Sequence, residues 1–431
     1  MSKNYVLDPQ RAFDFLNSIG FVRMGGTPEE LKAAEMIRDD LLADGIDAHL
    51  EEFTIQDVDV NTATLEVLEP YAATYTVTAY KGSGCVDALE ADFVYVEDAL
   101  EANLVDVKGK IALVNGFLRL PLYKKLVDAG VAAFITMSGD MLDTPENSDL
   151  FTRMLRAPLR TQGVIPGVNL RVCDAFDLVN RGASRVRLTV NTKLADRTSH
   201  NVVAVLPGTA SDEEICFTAH FDSVEFSTGV YDNGAGSVIL MELARWFAKN
   251  PARRTLKFIW TGSEEIGLEG SKAYVRDHAD EIGKCRFVIN VDVGGSVLGR
   301  ELCSCTADET VTTFTDTFMK INGYSMKVDR DIYSSDNMPF ADLDVPTASF
   351  FRVGAPGAGH IHDRNDIISL LSAKGLEKTT LYVMDYADTL ANAVVFPFER
   401  KVPADMHEKI DNYFYKKEQE EAKKKAEAEA K

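Results

Sequence analysis

The stretch 218–236 carries side chains that could bind a metal ion. His220 and Asp222 follow a β-type run at 215–219 and stand two residues apart, so in extended backbone both point to the same side. Asp232 comes ten residues later, before a glycine-rich turn into a long apolar segment. Imidazole and carboxylate groups are ligands for divalent metals. For the His-x-Asp pair alone, a buried histidine hydrogen-bonded to an aspartate is the alternative interpretation.

More acidic side chains and histidines follow other predicted strands. Glu264 and Glu265 come after the run 256–260, and Asp292 comes directly after 287–291. A later loop contains His360, His362, Asp363 and Asp366. Because ligands collect at the carboxyl ends of strands in open α/β sheets, we expect these groups to lie near His220.

Two histidines and three carboxylates suit a borderline-soft divalent cation, zinc first, although cobalt or manganese would also fit. One metal needs three or four ligands. Five ligands, one of them a carboxylate able to bridge, predict two ions about 3.5–4 Å apart that hold a water between them. Of the adjacent pair Glu264 and Glu265, one could then bind metal and the other could move protons.

The sequence predicts alternating helices and strands as the elements that position these groups. Thr27-Pro28 predicts the start of an amphipathic helix, and Gly45 predicts its end. After 187–190, strands alternate with helical stretches, which predicts an α/β fold with a mixed, largely parallel sheet flanked by helices. The predicted strands of this part are 202–206, 215–219, 256–260, 287–291 and 347–351.

Residues 60–190 have a different sequence pattern, in which short β-rich runs are separated by turns. This region contains no convincing catalytic cluster. This pattern predicts an inserted β-rich module. The end of the chain, 416–431, consists only of Lys, Glu, Gln and Ala, which predicts a solvated helix without a catalytic role.

The composition excludes several classes of protein. The chain has 431 residues and a formal net charge of −21, so nucleic acid or an anionic membrane would repel it. We find no apolar run of the ~18 residues that a membrane helix needs. The first residues lack the apolar core of a secretion signal, and six scattered cysteines lack the density of a disulfide scaffold. We therefore expect a cytoplasmic protein with reduced thiols.

Several motifs stand in the order and spacing of a known family, namely 218–236, 262–271, 290–292, 335–340 and 362–366. In these motifs the chain resembles the co-catalytic di-zinc aminopeptidase family, which includes aminopeptidase Y, bacterial leucyl aminopeptidases and glutamate carboxypeptidase. Residues 60–190 resemble the protease-associated domain that many members carry as an insertion. The resemblance implies a zinc exopeptidase domain at 1–59 and 191–400, an insertion at 60–190 and a charged helical tail at 401–431.

The resemblance also implies a role for each motif residue. Asp232 would bridge two metal ions, and Glu264 would act as general base and then as general acid. Asp222 would orient the His220 ring, and the peptide bond Asp232-Asn233 would be cis. The remaining ligands would be His220 and Asp292 at one ion, and Glu265 and His362 at the other.

Three positions are less well defined by the resemblance. His360 competes with His362 as a ligand, and the spacing to Asp366 favours His362. Asp363 stands where the family usually has threonine, which alters hydrogen bonding but leaves the ligand in place. Tyr333 could reach the oxyanion that forms on the substrate carbonyl, or it could simply pack in a loop.

The function implied is that of an aminopeptidase acting on short peptides through a metal-bridging water activated by Glu264. A carboxypeptidase or amidohydrolase on the same scaffold is the alternative, with Arg352 as a cation that could hold a substrate carboxylate. A glutaminyl cyclase and a non-catalytic, receptor-like binding protein are further alternatives. We expect no nucleic-acid or membrane partner, and self-association into a homo-oligomer is left open.

Overall fold

The structure is a computed structural model, and it describes residues 6–144 and 146–429. The strands are β1 (Ala48–Glu69), β2 (Ala73–Tyr75), β3 (Val77–Ala79), β4 (Val86–Tyr95), β5 (Ile111–Leu113), β6 (Ala133–Ser138), β7 (Gly167–Arg171), β8 (Arg185–Leu206), β9 (Glu214–His220), β10 (Thr255–Thr261), β11 (Cys285–Val291), β12 (Gly299–Thr306), β13 (Met326–Asp329) and β14 (Thr347–Gly354).

The helices are α1 (Pro9–Ser18), α2 (Pro28–Ala43), α3 (Leu120–Asp128), α4 (Ala157–Arg160), α5 (Val172–Asn180), α6 (Ala235–Lys249), α7 (Glu269–Asp277), α8 (Glu309–Ile321), α9 (Met338–Ala341), α10 (Ala373–Asn392), α11 (Ala404–Tyr413) and α12 (Lys416–Glu429). The predicted start of α2 is confirmed, because the Thr27 side chain accepts a hydrogen bond from the Glu30 N–H and Pro28 occupies the first helical position.

The described residues divide into two compact units. Unit 1 contains residues 6–55 and 198–413, and unit 2 contains residues 56–197 and 414–429. The chain passes between them within the long strands β1 and β8 and after α11. The predicted domain ranges differ from these units by a few residues at the insertion. They differ more at the C-terminal end, since α11 lies in unit 1 with Met406 and Ile410 buried.

The sheet of unit 1 has the strand order β13-β12-β14-β11-β9-β10-β8. The four strands β14, β11, β9 and β10 run parallel to one another, while β12 pairs antiparallel with β14 and β8 pairs antiparallel with β10. The parallel strands therefore end at the same edge of the sheet. This arrangement confirms the predicted α/β class with a mixed, largely parallel sheet.

Continuous burial explains why the central strands of unit 1 have few polar residues. All seven residues of β9 are buried, and residues 235–247 of α6 are buried as well. A strand covered on both faces needs apolar side chains on both faces. The stacked rings of Phe217 and Phe258, 4.5 Å apart, lie in this core. The rigid core fixes the strand ends that carry the polar groups.

In unit 2, strands β4, β5, β6 and β7 are parallel, and β3 pairs antiparallel with β7. The first half of β8 pairs antiparallel with β4. The stretch 73–79 contains two strands, because β2 pairs with β1 while β3 pairs with β7.

The C-terminal helix α12 carries exposed or half-buried side chains where these are described. An ion pair of 2.7 Å between Lys424 and Glu420 lies on its surface. None of the helices in the described part of the chain has the length and apolar character needed to span a membrane.

Candidate metal centre

His220 ends β9 and is buried, with its two ring nitrogens facing different carboxylates. Nε2 lies 3.2 Å from Asp232 Oδ1 and 3.6 Å from Asp292 Oδ1. Nδ1 lies 3.4 Å from Asp222 Oδ1 and forms no hydrogen bond with any described residue. A separation of 3.4 Å is too long for a strong hydrogen bond. Nε2 is thus the ring atom directed at the other acidic groups.

Asp222 accepts hydrogen bonds from the loop that follows β10. Its Oδ1 accepts a hydrogen bond of 3.0 Å from the Glu264 N–H, and its Oδ2 accepts one of 3.3 Å from the Glu265 N–H. One buried carboxylate therefore ties the ends of β9 and β10 together.

Asp232 lies between the two histidines. Its Oδ1 faces His220, and its Oδ2 lies 3.1 Å from His362 Nε2. The peptide bond Asp232-Asn233 is cis, as the family resemblance implies. The two oxygens of this carboxylate face in two directions, which is the geometry that a bridging ligand requires.

The backbone at Asp232 is held by Asp366, for which the sequence predicts a place near His220 but no specific role. Asp366 Oδ1 accepts a hydrogen bond of 2.8 Å from the Tyr231 N–H, and Oδ2 accepts one of 3.1 Å from the Asp232 N–H. Burial raises the pKa of Asp366 to about 6. Its place in the motif 362–366 was a signal that could have suggested such a role.

The adjacent residues Glu264 and Glu265 occupy different surroundings in the loop after β10. Glu265 Oε2 lies 3.0 Å from His362 Nε2. The Glu264 carboxylate forms no hydrogen bond or ion pair with any residue in the described part of the chain. Burial, together with the neighbouring Glu265 carboxylate, raises the pKa of Glu264 well above its usual range, although His220 opposes this.

His362, and not His360, lies beside the acidic groups. His362 has the left-handed φ of 58° and reaches Asp232 and Glu265 through Nε2. His360 instead lies with Nδ1 3.2 Å from Asp363 Oδ2. Asp363, the residue in place of the family's threonine, therefore engages the neighbouring histidine and leaves His362 free to face the centre.

The ligand-type atoms form two groups that share one residue. His220, Asp232 and Asp292 form the first group, and Asp232, Glu265 and His362 form the second, with the atoms of each group within 4.8 Å of one another. All five sequence-predicted ligands are thus brought together.

The chemistry of these groups fits divalent metal ions. Each group offers one imidazole nitrogen and two carboxylates, the mixed set that zinc accepts. Burial, together with the Asp232 carboxylate, raises the pKa of Glu265 to about 7. A bound cation would reverse that electrostatic cost, because it stabilises ionised carboxylates.

Two further residues from the sequence analysis lie in distinct settings. The Tyr333 ring stacks on Phe351 with centroids 4.5 Å apart, and burial together with the Asp292 and Asp232 carboxylates raises its pKa well above the usual range. Arg352 is buried, with Nη1 2.5 Å from Glu301 Oε1 and Nε donating to the Ser296 carbonyl oxygen at 2.6 Å. Its guanidinium is therefore engaged within the fold.

Comparisons with known proteins give consistent similarities. Residues 201–387 match the sequence profile of peptidase family M28. The chain is 27% identical over 379 residues to aminopeptidase YwaD of Bacillus subtilis (strain 168), which covers 83% of this chain and 78% of YwaD. It is also 27% identical over 250 residues to a probable leucine aminopeptidase 2 of Aspergillus oryzae. That match covers 56% of this chain and 46% of the fungal protein, so the matched region spans about half of the relative.

Solved structures share the fold. BSAP, a zinc aminopeptidase from Bacillus subtilis, has a TM-score of 0.74 and 23% identity, covering 93% of this chain and 99% of BSAP. The aminopeptidase from Aneurinibacillus sp. strain AM-1 has a TM-score of 0.70 and 23% identity, covering 91% of this chain and 97% of that one.

Proposed function

We propose that this chain is a member of peptidase family M28, whose profile its residues 201–387 match, and that it is a metal-dependent aminopeptidase that releases N-terminal residues from short peptides. The observation that carries the proposal is the pair of ligand groups joined at Asp232, with Glu264 beside them and outside both. The proposal extends to this chain the activity for which the aminopeptidase relatives are named.

We propose that the centre holds two divalent ions, with zinc as the favoured metal and cobalt or manganese as metals that would also fit. His220 and Asp292 would hold one ion, Glu265 and His362 the other, and Asp232 both. When bound, such ions polarise a carbonyl group and lower the pKa of water. Asp222, whose Oδ1 lies 3.4 Å from His220 Nδ1, would limit the orientation of the His220 ring.

Glu264 would carry the proton in this reaction. Its carboxylate takes a proton from the water that attacks the peptide carbonyl, and then donates it to the amide nitrogen as the C–N bond breaks. A carboxylate without a fixed partner can change its protonation state without breaking an ion pair. Tyr333 would donate a hydrogen bond to the oxygen that becomes negative on the substrate carbonyl.

The charges around the centre favour an aminopeptidase over a carboxypeptidase. A carboxypeptidase needs a cation to hold the substrate carboxylate, and the candidate Arg352 is buried and paired with Glu301. The acidic side chains of the centre would instead attract the α-ammonium group of a peptide's first residue.

Unit 2 would be a protease-associated domain. This proposal rests on the family resemblance of residues 60–190, together with the β-rich sheet of the unit. We also propose that the chain works in the cytoplasm, because its six cysteines are free thiols and reducing compartments keep thiols in that state.

Blocked dipeptides would separate the candidate activities. A dipeptide amide with a free amino group should be cleaved, whereas the N-acetylated dipeptide should not, because the acetyl group removes the positive charge that the acidic centre attracts. Release of free amino acids measures both reactions. Removal of metal with a chelator should abolish cleavage, and added zinc should restore it.

Two results would contradict this function. Cleavage of the N-acetylated peptide alone would favour a carboxypeptidase. Undiminished activity after complete removal of metal would exclude a metal-dependent mechanism.

The neighbouring histidines offer a matched pair of variants. His362→Ala should lower the bound zinc from two ions to one per chain, because His362 is the imidazole of the second group. His360→Ala should leave both ions bound, since His360 pairs with Asp363. Elemental analysis of the purified variants measures the difference. Equal metal loss in the two variants would remove the basis for assigning His362 rather than His360.

A further inference from the structure

Arg23 lies in the segment between α1 and α2, far in sequence from the metal centre, and its exposed fraction is 0%. No carboxylate in the described part of the chain forms an ion pair with it. Its guanidinium donates instead to backbone carbonyl oxygens, namely those of Ile19, Phe21, Phe221, Thr228 and Gly229. A buried arginine without an ion pair needs such a set of acceptors to offset the loss of water.

Three of those carbonyls belong to the loop 221–229, which joins His220 to the turn that carries Asp232. Nε donates to the Phe221 oxygen at the start of the loop. Nη1 and Nη2 donate at 2.5 and 2.6 Å to the oxygens of Thr228 and Gly229 at its end. One planar side chain therefore connects the two ends of the loop.

The backbone of Arg23 adds a further connection to the middle of the same loop. The Arg23 N–H donates to Ser223 Oγ at 3.1 Å, and the Ser223 N–H donates to the Arg23 carbonyl oxygen at 3.2 Å.

The contact between Arg23 and the loop is tightly packed at Gly229. Gly229 has a φ of 59°, and a Cβ there would lie 2.6 Å from Ser223 Cβ and 3.0 Å from Arg23 Nη2.

The nearby carboxylates also favour the charged form of Arg23. Burial lowers its pKa to about 10, while the carboxylates of Asp222, Asp366 and Asp232 act in the opposite direction. The guanidinium thus remains a cation beneath an acidic centre. Lysine could supply the charge, but it lacks the planar set of five donors that reaches both ends of the loop.

We propose that Arg23 is a positioning residue for the metal centre, which holds the loop 221–229 so that His220 and Asp232 keep their spacing. The inference rests on the proposed function, because it assumes that these two residues bind metal. Arg23 belongs to neither ligand group and acts through the loop.

The test compares two buried arginines. Arg23→Lys keeps the charge and removes the connections to the carbonyls. The control is Arg254→Lys, since Arg254 is also buried and donates to the carbonyl oxygens of Leu390 and Ala393, in addition to its ion pair with Glu213. Arg254 lies just before β10, at the opposite end of that strand from Glu264.

Two quantities are measured for each variant: the zinc dissociation constant, by competition with a chromophoric chelator, and the Tm of the metal-free protein. Arg23→Lys should raise the zinc dissociation constant roughly 10- to 100-fold, the usual effect of losing a residue that orients a ligand. Arg254→Lys should lower the Tm to a similar degree without changing zinc affinity.

A lowered Tm with unchanged zinc affinity in Arg23→Lys would overturn the inference while leaving the proposed function intact. Absence of zinc binding in the unsubstituted protein would instead overturn the proposed function itself. Should Arg23→Lys not fold, Ser223→Ala provides the test, because it removes the acceptor of the Arg23 N–H. Unchanged zinc affinity in folded Ser223→Ala would then count against the inference, and a several-fold weaker affinity would support it.

Discussion

Replacing Glu264 with glutamine is expected to lower kcat by roughly 10²- to 10⁴-fold while both metal ions remain bound. Glutamine has nearly the shape of glutamate but cannot take a proton from water or donate one to a leaving amine. Glu264 belongs to neither ligand group, so its loss should not release metal. The measurement is steady-state hydrolysis of an aminoacyl anilide together with the zinc content of the same preparation.

The neighbouring residue supplies the control. Glu265→Gln makes the same chemical change one position along the chain, but Glu265 lies beside His362 in the second group. It should lower zinc content as well as activity, and excess zinc should restore part of the activity. If excess zinc restored the activity of Glu264→Gln, Glu264 would be a metal ligand. That result would contradict its assignment as the base.

Replacing Asp232 with asparagine is expected to weaken metal binding at both groups and to reduce activity below detection. The amide has one oxygen in place of two, and its NH₂ group cannot bind a metal ion. Because Asp232 faces His220 with one oxygen and His362 with the other, either orientation of the amide deprives one group of its shared ligand. Titration with zinc, followed by elemental analysis, measures the affinity and the number of sites.

Asp222→Asn is the comparison variant for Asp232→Asn. Asp222 is buried in the same region but belongs to neither group. The Asp222→Asn variant should retain both sites with affinity lowered by about 10- to 100-fold, since the role proposed for Asp222 is to orient a ligand and not to supply one. Two zinc ions bound by Asp232→Asn with unchanged affinity would rule out the bridging role.

Much of the site could be predicted because its residues follow strands. His220, Glu264, Glu265 and Asp292 each stand at or just after the end of a buried apolar run. Parallel strands of one sheet end at the same edge, so separate sequence positions converge in space. The α/β class follows from the same alternation of strands and helices, and the structure confirms it.

Local loop geometry was less accessible from the sequence. His360 and His362 are two residues apart and chemically identical, so residue type could not separate them. The loop conformation separates them, with His362 turned towards Asp232 by its left-handed backbone and His360 turned towards Asp363. The change of pairing partner between β2 and β3 is another feature set by distant strands.

The sequence by itself determined which residue types stand at the strand ends, and these are types that can bind divalent metals and move protons. Only the tertiary structure decided which side chains are available to do so. The sequence suggested Arg352 as a cation that could hold a substrate carboxylate. In the structure, Arg352 is paired with the buried carboxylate of Glu301, 51 positions away. Arg23 carried no motif, yet it contacts a loop some 200 positions away. Packing between segments that are distant in the chain determines these partners. A local sequence pattern therefore does not predict them.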